Sequence, residues 1–281
     1  MTTERIRITT LVENTAGRPG VLAEHGLAFW LDMGAHRILF DTGAGAVLVS
    51  NAGKLGVDLA QANAIVLSHG HYDHTGGLLE AMHAAPRAPV LVHPAAFEAK
   101  YARLGDGTSR YIGVPGLDEA AVRRQAGDLV FTNEPTEIVE GLSVTGEIPR
   151  LTDFEDTGGP FFLGKDCDRP DPLLDDQAVF FQCKQGTVVI LGCCHTGVIN
   201  TLRYIHELTN GQPIHAVIGG MHLLWATDER VERTIQGLRE FGVEDLGPAH
   251  CTGMAATTAL WGAFPGKCRQ CAVGAVVEFE T

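Results

Sequence analysis

The stretch VLSHGHYDHTGGL, residues 66–78, decides the fold of this chain. It places three of the twelve histidines, together with Asp73, within six residues and directly after a short apolar run. Zinc and related metals prefer imidazole and carboxylate ligands. Residues two apart in an extended or turning segment point the same way, so His69 and His71 can bind one ion. Asp73 and His74 lie beyond the turn and can reach a second ion roughly 3.5–4 Å away.

A Thr-Gly pair follows the end of a predicted strand at four places. The residue before the pair, or two before it in the last copy, is a possible metal or polar ligand: Asp41, His74, His195 and His250. A helical pattern follows each copy, and we interpret the threonines as N-caps. The pattern therefore predicts four strand ends that bring ligands and positive helix N-termini to one place. His195 and His250 become the candidates to complete the two metal sites.

Predicted strands and helices alternate in both halves of the chain. The copies ILFDTG and VILGCCHTG lie one in each half, which favours two similar half-folds that meet at a shared site. Between about residues 95 and 176 the loops lengthen, so we predict a lid inserted into a regular core. Within it, Arg110 and Arg150 are candidates to bind an anionic substrate, because guanidinium matches carboxylate and phosphate bidentately. An exposed loop arginine explains each of them equally well.

The composition excludes several classes of protein. The chain has 281 residues, 45% of them hydrophobic, which supports a large core and excludes a disordered chain. A net charge of -13 disfavours a phosphate backbone as partner, so we expect no nucleic acid partner. The chain shows neither a signal-peptide core nor an apolar run long enough for a membrane span, so we expect a cytoplasmic protein with no membrane partner. The sequence leaves the oligomeric state open.

The seven cysteines are odd in number and do not form the pattern of a disulfide framework. We interpret them as reduced structural thiols. Cys193, Cys194 and Cys251 flank candidate ligands; we interpret these as buried thiols, with a thiolate metal ligand as the alternative. Six other histidines are interpreted as structural or exposed: His25, His36, His83, His93, His206 and His215.

The motif HGHYDH resembles the signature of the metallo-β-lactamase superfamily, and Asp41 in FDTG resembles the acidic motif upstream of it. The stretches LAEHGLAFWLD, GEIPR, DDQAV, LGCCHTGVINTL and GGMHL are similar to the branch named for dihydropterin ribofuranosyl-aminobenzene phosphate synthase. The resemblance covers nearly the whole chain. Together with the two similar halves, it implies an α/β fold, a four-layered αβ/βα sandwich with an inserted lid. Residues 1–281 would form a single domain.

The resemblance also implies a ligand set. One metal would bind His69, His71 and His195, and the other would bind Asp73, His74 and His250. Asp41 would hold the ligand loop by hydrogen bonds. We expect zinc, as one or two ions, with manganese or iron as alternatives.

One position departs from the superfamily pattern. Most relatives with two metals have an aspartate after the third histidine that bridges the ions, whereas this chain has none between His195 and Asp228. We therefore predict that the second ion binds more weakly than the first, because only a hydroxide would then offset the repulsion between the cations. His222, in GGMHL, is a candidate metal ligand, proton donor or hydrogen-bond partner of a ligand.

These features predict a metal-dependent hydrolase in which the ions activate water and Asp73 orients it. The predicted substrate is a small anionic ester. A phosphoester is favoured over a lactone or a thioester because of the helix N-termini and the arginines. Two other classes remain as alternatives: an iron-dependent oxidoreductase of the same fold and a non-catalytic metal-binding regulator.

Overall fold

The computed structural model describes residues 5–281 and contains sixteen strands and seven α-helices within that range. The strands are β1 Arg5–Val12, β2 Ala28–Met33, β3 His36–Phe40, β4 Ala64–Val66, β5 Pro89–Val92, β6 Tyr101–Arg103, β7 Ser109–Tyr111, β8 Asp128–Phe131, β9 Thr136–Val139, β10 Leu142–Val144, β11 Phe161–Phe162, β12 Ala178–Cys183, β13 Gly186–Leu191, β14 Ile214–Gly220, β15 Asp245–Ala249 and β16 Val276–Glu280. The helices are α1 Leu48–Leu55, α2 Tyr72–Thr75, α3 Leu78–Ala84, α4 Glu119–Gln125, α5 Val198–Leu208, α6 Asp228–Glu240 and α7 Met254–Ala263.

Two large sheets form the centre of the molecule. The first has the order β16-β1-β2-β3-β4-β5-β8, and the second has the order β15-β14-β13-β12-β10-β9. In each sheet an antiparallel hairpin, β2–β3 or β12–β13, leads into parallel strands. The repeated topology confirms the prediction of two similar halves.

The hydrophobic core has three parts, which separate four layers. The inner part lies between the sheets and joins residues such as Phe29 and Phe40 to Phe181 and Ile190. One outer part packs α1, α3 and α4 on the first sheet, and the other packs α5, α6 and α7 on the second sheet. All of β13, GTVVIL, is buried because both of its faces are covered. This arrangement confirms the predicted four-layered αβ/βα sandwich.

The stretch predicted as a lid, about residues 95–176, divides between the sheets and a separate cover. Strand β8 extends the first sheet, and β9 and β10 extend the second. The remaining strands, β6, β7 and β11, form a small three-stranded sheet. Strand β9 has no fully buried residue, which is why its sequence resembles a loop. The cover is therefore built from two segments, one before β8 and one after β10.

None of the helices within residues 5–281 is long and apolar enough to span a bilayer.

Candidate metal centre

The residues that precede the four Thr-Gly pairs lie together at one edge of the two sheets. Asp41 Oδ2 lies 2.6 Å from Nδ1 of His74, and His74 Nε2 lies 3.3 Å from Nε2 of His250. The ring of His195 lies 4.9 Å from that of His69, between centroids. These contacts confirm that the four turns converge on one place.

The threonines of these pairs do not cap the helices, so that part of the prediction was wrong. Helices α1, α3, α5 and α7 have no side-chain hydrogen bond at their N-caps. The hydroxyl of Thr42 instead donates to the carbonyl of His74, at 2.8 Å, and the hydroxyl of Thr75 donates to the carbonyl of His71, at 2.9 Å. Both carbonyls also accept backbone N–H groups, so the hydroxyls add a second link between the turns and the ligand loop.

The N-terminus of α5 is also not free to bind an anion. The carboxylate of Glu155 accepts hydrogen bonds from the backbone N–H groups of Ile199 and Asn200, at 2.8 and 2.9 Å. A carboxylate on the first turn of a helix interacts with its partial positive charge and occupies N–H groups that could otherwise bind an anion. For this helix, the predicted attraction of a substrate phosphate was therefore wrong.

His69, His71 and His195 form the first donor group. Their ligand-capable atoms all lie within 4.8 Å of one another, and all three side chains are buried. Nδ1 of His195 donates to the carbonyl of Thr157 at 2.8 Å, so its Nε2 is the atom available for a ligand. Nε2 of His195 and Nε2 of His71 have no hydrogen-bond partner. Buried unpaired imidazole nitrogens are rare without a ligand, so this group fits a metal ion.

Burial is the main influence on the charge of this first group. It lowers the pKa of His71 to about 3. Burial, together with the neighbouring imidazoles, also holds the pKa values of His69 and His195 well below their ordinary range. All three imidazoles are therefore neutral at physiological pH, which is the form that binds a metal.

The predicted ligands of the second ion also lie close together, at a second position: Asp73, His74 and His250. Asp73 Oδ2 is 3.3 Å from Nε2 of His250. Nδ1 of His250 lies 2.9 Å from Oδ1 of Asn14, which leaves Nε2 directed at Asp73 and His74. His25 was interpreted as structural or exposed, but its Nε2 lies 3.2 Å from Asp73 Oδ2. His25 could therefore bind a metal ion together with Asp73 and His250, although its side chain is 57% exposed.

Charge at the second position is set by neighbouring side chains, against the effect of burial. Burial would lower the pKa of His74, but the Asp41 carboxylate raises it to about 9. Burial would raise the pKa of Asp73, but hydrogen bonds from His25 and His250 hold it well below its usual range. At the second position, the Asp73 carboxylate is therefore ionised. The His74 imidazole carries a proton that a metal ion would have to displace.

Asp41 lies where the sequence predicted, under the ligand loop. Its Oδ1 accepts from the backbone N–H of Ser68 at 2.7 Å, and its Oδ2 accepts from the Ser68 hydroxyl at 2.7 Å and contacts His74. The backbone φ of Asp41 is 59°, a left-handed conformation that asparagine and aspartate tolerate better than other residues. The carboxylate therefore fixes both ends of the loop.

The motif DDQ, residues 175–177, also fixes backbone beside the candidate ligands, and no role was predicted for it from the sequence. Asp175 Oδ2 accepts from the backbone N–H of Gly70, between His69 and His71, at 2.7 Å. Asp176 Oδ2 accepts from the backbone N–H of Thr196, next to His195, at 2.7 Å. Three consecutive polar residues in a buried stretch were the signal that could have identified them.

Asp175 is in turn paired with a buried lysine. Lys100 Nζ lies 2.8 Å from Asp175 Oδ1 and 2.9 Å from Asp171 Oδ2. The residue has no exposed surface. The charge of Lys100 lowers the pKa of Asp175 although burial opposes this effect. The cover is therefore joined to the ligand loop through a buried ion pair.

The three other predicted site residues differ in how close they lie to the candidate metal ligands. His222 has a positive φ of 45°, and its ring centroid lies 4.0 Å from that of His195. Arg110 is exposed and lies over the ring of Tyr72, at 4.8 Å. Arg150 donates to the carbonyls of His195 and Pro172, at 3.0 and 3.1 Å, and does not line the cavity over the donors.

Two neighbouring cavities open beside the donor groups. The first, of about 330 Å³, lies over the donors and includes His71, Asp73, His195 and His222 among its lining residues. Arg103, which was not among the arginines predicted to bind substrate, also lines this cavity. The second, of about 690 Å³, shares residues such as His25 with the first and extends along α7.

Comparisons with known proteins agree with this geometry. Residues 23–164 match the model of the family described as the metallo-beta-lactamase superfamily. The chain belongs to the metallo-beta-lactamase superfamily. An uncharacterised protein from Methanocaldococcus jannaschii is 34% identical over 257 residues, 90% of this chain and 93% of the relative.

Two further relatives of the superfamily match nearly the whole chain. The 7,8-dihydropterin-6-methyl-4-(beta-D-ribofuranosyl)-aminobenzene-5'-phosphate synthase of the same organism is 28% identical, over 98% of this chain and 97% of the synthase. A crystal structure of a metal-dependent hydrolase of the superfamily is 33% identical, with a TM-score of 0.84, and the match covers 98% of this chain and 100% of that chain. With the donor groups, these matches show a metal-dependent enzyme.

Proposed function

We propose that this enzyme is a hydrolase that binds two metal ions and cleaves a phosphoester of a small organic molecule. One observation carries the proposal. His71, His195 and Asp73 all line one cavity of about 330 Å³, and the buried Nε2 atoms of the two histidines have no hydrogen-bond partner. His69, His71 and His195 would hold one ion, and Asp73, His74 and His250 would hold the other. Zinc is the metal that this histidine-rich donor set favours.

Bound divalent ions would supply an activated water and would offset negative charge that develops on the substrate. The remaining chemistry belongs to the side chains. Asp73 is ionised, and its carboxylate can accept a hydrogen bond from the attacking water and orient it. His222 lines the cavity, and its Nδ1 has no hydrogen-bond partner. Burial would lower the pKa of His222, but Cys251 raises it, so the ring can hold a proton for the leaving oxygen.

The walls of the cavities favour an anionic group attached to an apolar body. Arg103 lies at the first cavity and Arg110 beside it, so a guanidinium can bind phosphate oxygens there. The second cavity is lined by Leu224, Met254 and Trp261 among others, which suits an apolar or aromatic part of the substrate. The synthase relative supports the phosphate, because the compound in its name is a 5'-phosphate.

Hydrolysis of a substrate panel tests the proposal. Purified protein, freed of metal and then reloaded with zinc or manganese, would be assayed on bis(p-nitrophenyl) phosphate, p-nitrophenyl phosphate, a lactone and a thioester. We expect turnover of a phosphoester that a chelator removes and added metal restores. Turnover of the lactone or thioester without phosphoester cleavage would contradict the phosphoester preference. Failure on every ester would favour a synthase activity, as in the name of the synthase relative.

A further inference from the structure

The thiol of Cys193 lies between the two donor groups. Cys193 follows β13 and is 2% exposed, and its Sγ lies 3.1 Å from Nε2 of His74. Gly192, just before it, packs so closely on the ligand loop that a Cβ there would lie 2.1 Å from the Ser68 hydroxyl. The backbone of the second half therefore approaches the loop of the first half closely enough for this sulfur to reach donors from both.

Cys193 shares three separate donor groups with other side chains. Its Sγ lies within 4.8 Å of ligand atoms of His69 and His74, of His195 and His222, and of His250 and Cys251. His69 and His195 belong to the first proposed metal position, and His74 and His250 belong to the second. An atom near donors of both positions has the placement of a bridging ligand.

We propose that Cys193 is a metal ligand whose thiolate is shared by the two ions, in place of the aspartate that the chain lacks between His195 and Asp228. The inference rests on the proposed site for two metals. Two adjacent cations repel each other, and an anion bound between them offsets that repulsion. A thiol bound to a cation loses its proton and becomes that anion. The proposal reverses the prediction of a weak second ion, because the missing carboxylate has an anionic replacement.

The two other cysteines near the site are differently placed. Cys194 points to the opposite side, where its Sγ lies 3.4 Å from the Thr201 hydroxyl and its side chain packs in the core beneath α5. The thiol of Cys251 lies 3.5 Å from the backbone carbonyl of Cys193, to which it donates. Cys194 is therefore a matched control: it is adjacent in sequence, equally buried and remote from the donor groups.

Cobalt(II) in place of the native metal gives a readout that is independent of activity. A cobalt–thiolate bond produces a charge-transfer band in the near ultraviolet, whereas histidine and carboxylate ligands do not. We expect the band in the unmodified protein and in Cys194→Ser, and its loss in Cys193→Ser. Elemental analysis should show two ions in the unmodified protein after mild chelation. In Cys193→Ser the affinity for one of them should fall roughly tenfold or more, since loss of an outer hydrogen-bond partner of a ligand already has that effect.

Cys193→Asp restores an anion without sulfur. We expect it to recover most of the second ion while the charge-transfer band stays absent, which also shows that the fold tolerates substitution there. A band that persists in Cys193→Ser, or two tightly bound cobalt ions without a band in the unmodified protein, would overturn the proposal. Phosphoester turnover without a band rejects only the thiolate ligand. A band without turnover of any ester rejects only the proposed function.

Discussion

The ligand loop at His69–His74 and the strand ends of the second half supply donors to the same site in different ways. The loop provides three histidines and Asp73 from six consecutive residues. The second half provides Cys193, His195, His222 and His250 from the ends of β13, β14 and β15. The first arrangement is a local motif, whereas the second exists only because parallel strands align their ends.

The two regions are also held differently. The loop is fixed from outside by the carboxylates of Asp41 and Asp175, which accept its backbone and side-chain hydrogen bonds. The strand ends are fixed by sheet register, as in the hydrogen bond from Gly220 N–H to the Gly192 carbonyl, 3.0 Å long. One substitution around the loop should therefore disturb several donors at once, and one at a strand end should disturb a single donor.

The largest effect is expected from a ligand within the loop. His71→Ala removes an imidazole whose Nε2 has no hydrogen-bond partner and is free to bind a metal. We expect loss of at least one ion and a fall in turnover of roughly 10²–10³ or more, because the ions carry most of the charge stabilisation. Elemental analysis and turnover measure the two effects. His83→Ala, at an exposed histidine, is the control and should change neither. Full metal content in His71→Ala would contradict the assignment of this ligand.

A strand-end residue should have a narrower effect. We expect His222→Ala to lower turnover roughly a hundredfold while metal content stays the same, as for loss of a proton donor. The loss should be larger for an alkyl phosphate, whose leaving group needs a proton, than for p-nitrophenyl phosphate. An equal loss for both substrates would exclude proton donation, and a drop in metal content would identify His222 as a ligand.

Removing a support of the loop should affect metal binding and stability more than chemistry. Asp175→Ala leaves the Gly70 N–H without its acceptor and removes one of the two carboxylates that neutralise buried Lys100. We expect a loss of about 3 kcal/mol in the free energy of unfolding. Metal affinity should also fall roughly 10–100-fold.

Chemical denaturation and metal titration measure these two effects. Asp153→Ala is the control, since it breaks a solvent-exposed ion pair with Arg233 and should leave the stability nearly unchanged. Equal stability of the two variants would show that the buried pair does not support the loop.

The smallest effect concerns pH. Burial would raise the pKa of Asp175, but the charge and hydrogen bond of Lys100, together with the Gly70 N–H, lower it in the folded protein. Its ionised form therefore stabilises the fold at pH values above the unfolded pKa of about 3.9, and this contribution is lost as pH falls through the lower folded pKa. We expect the stability difference between the unmodified protein and Asp175→Asn to be constant near neutrality. It should shrink below about pH 4, as urea unfolding at a series of pH values would show. A difference that grows on acidification would contradict this sign.

The sequence was most informative where a structural element is local and repeated. The HGHYDH motif and the four convergent turns followed from residue spacing, because a strand end and its following turn are fixed by neighbouring residues. The position of Asp41 beneath the motif followed from the family resemblance. The lid was predicted less well. Edge strands such as β9 are half exposed, so their composition does not differ from that of a loop.

By itself the sequence determined which half-folds form and which histidines and aspartates stand at strand ends, since periodicity and turn residues specify local structure. Only the tertiary structure decided that Cys193 lies beside His74, that His25 reaches Asp73, and that Asp175 joins Lys100 to the ligand loop. These residues lie up to 119 positions apart, as for Cys193 and His74. Pairing at such separation depends on how two sheets pack face to face, and no local pattern in a single sequence records that packing.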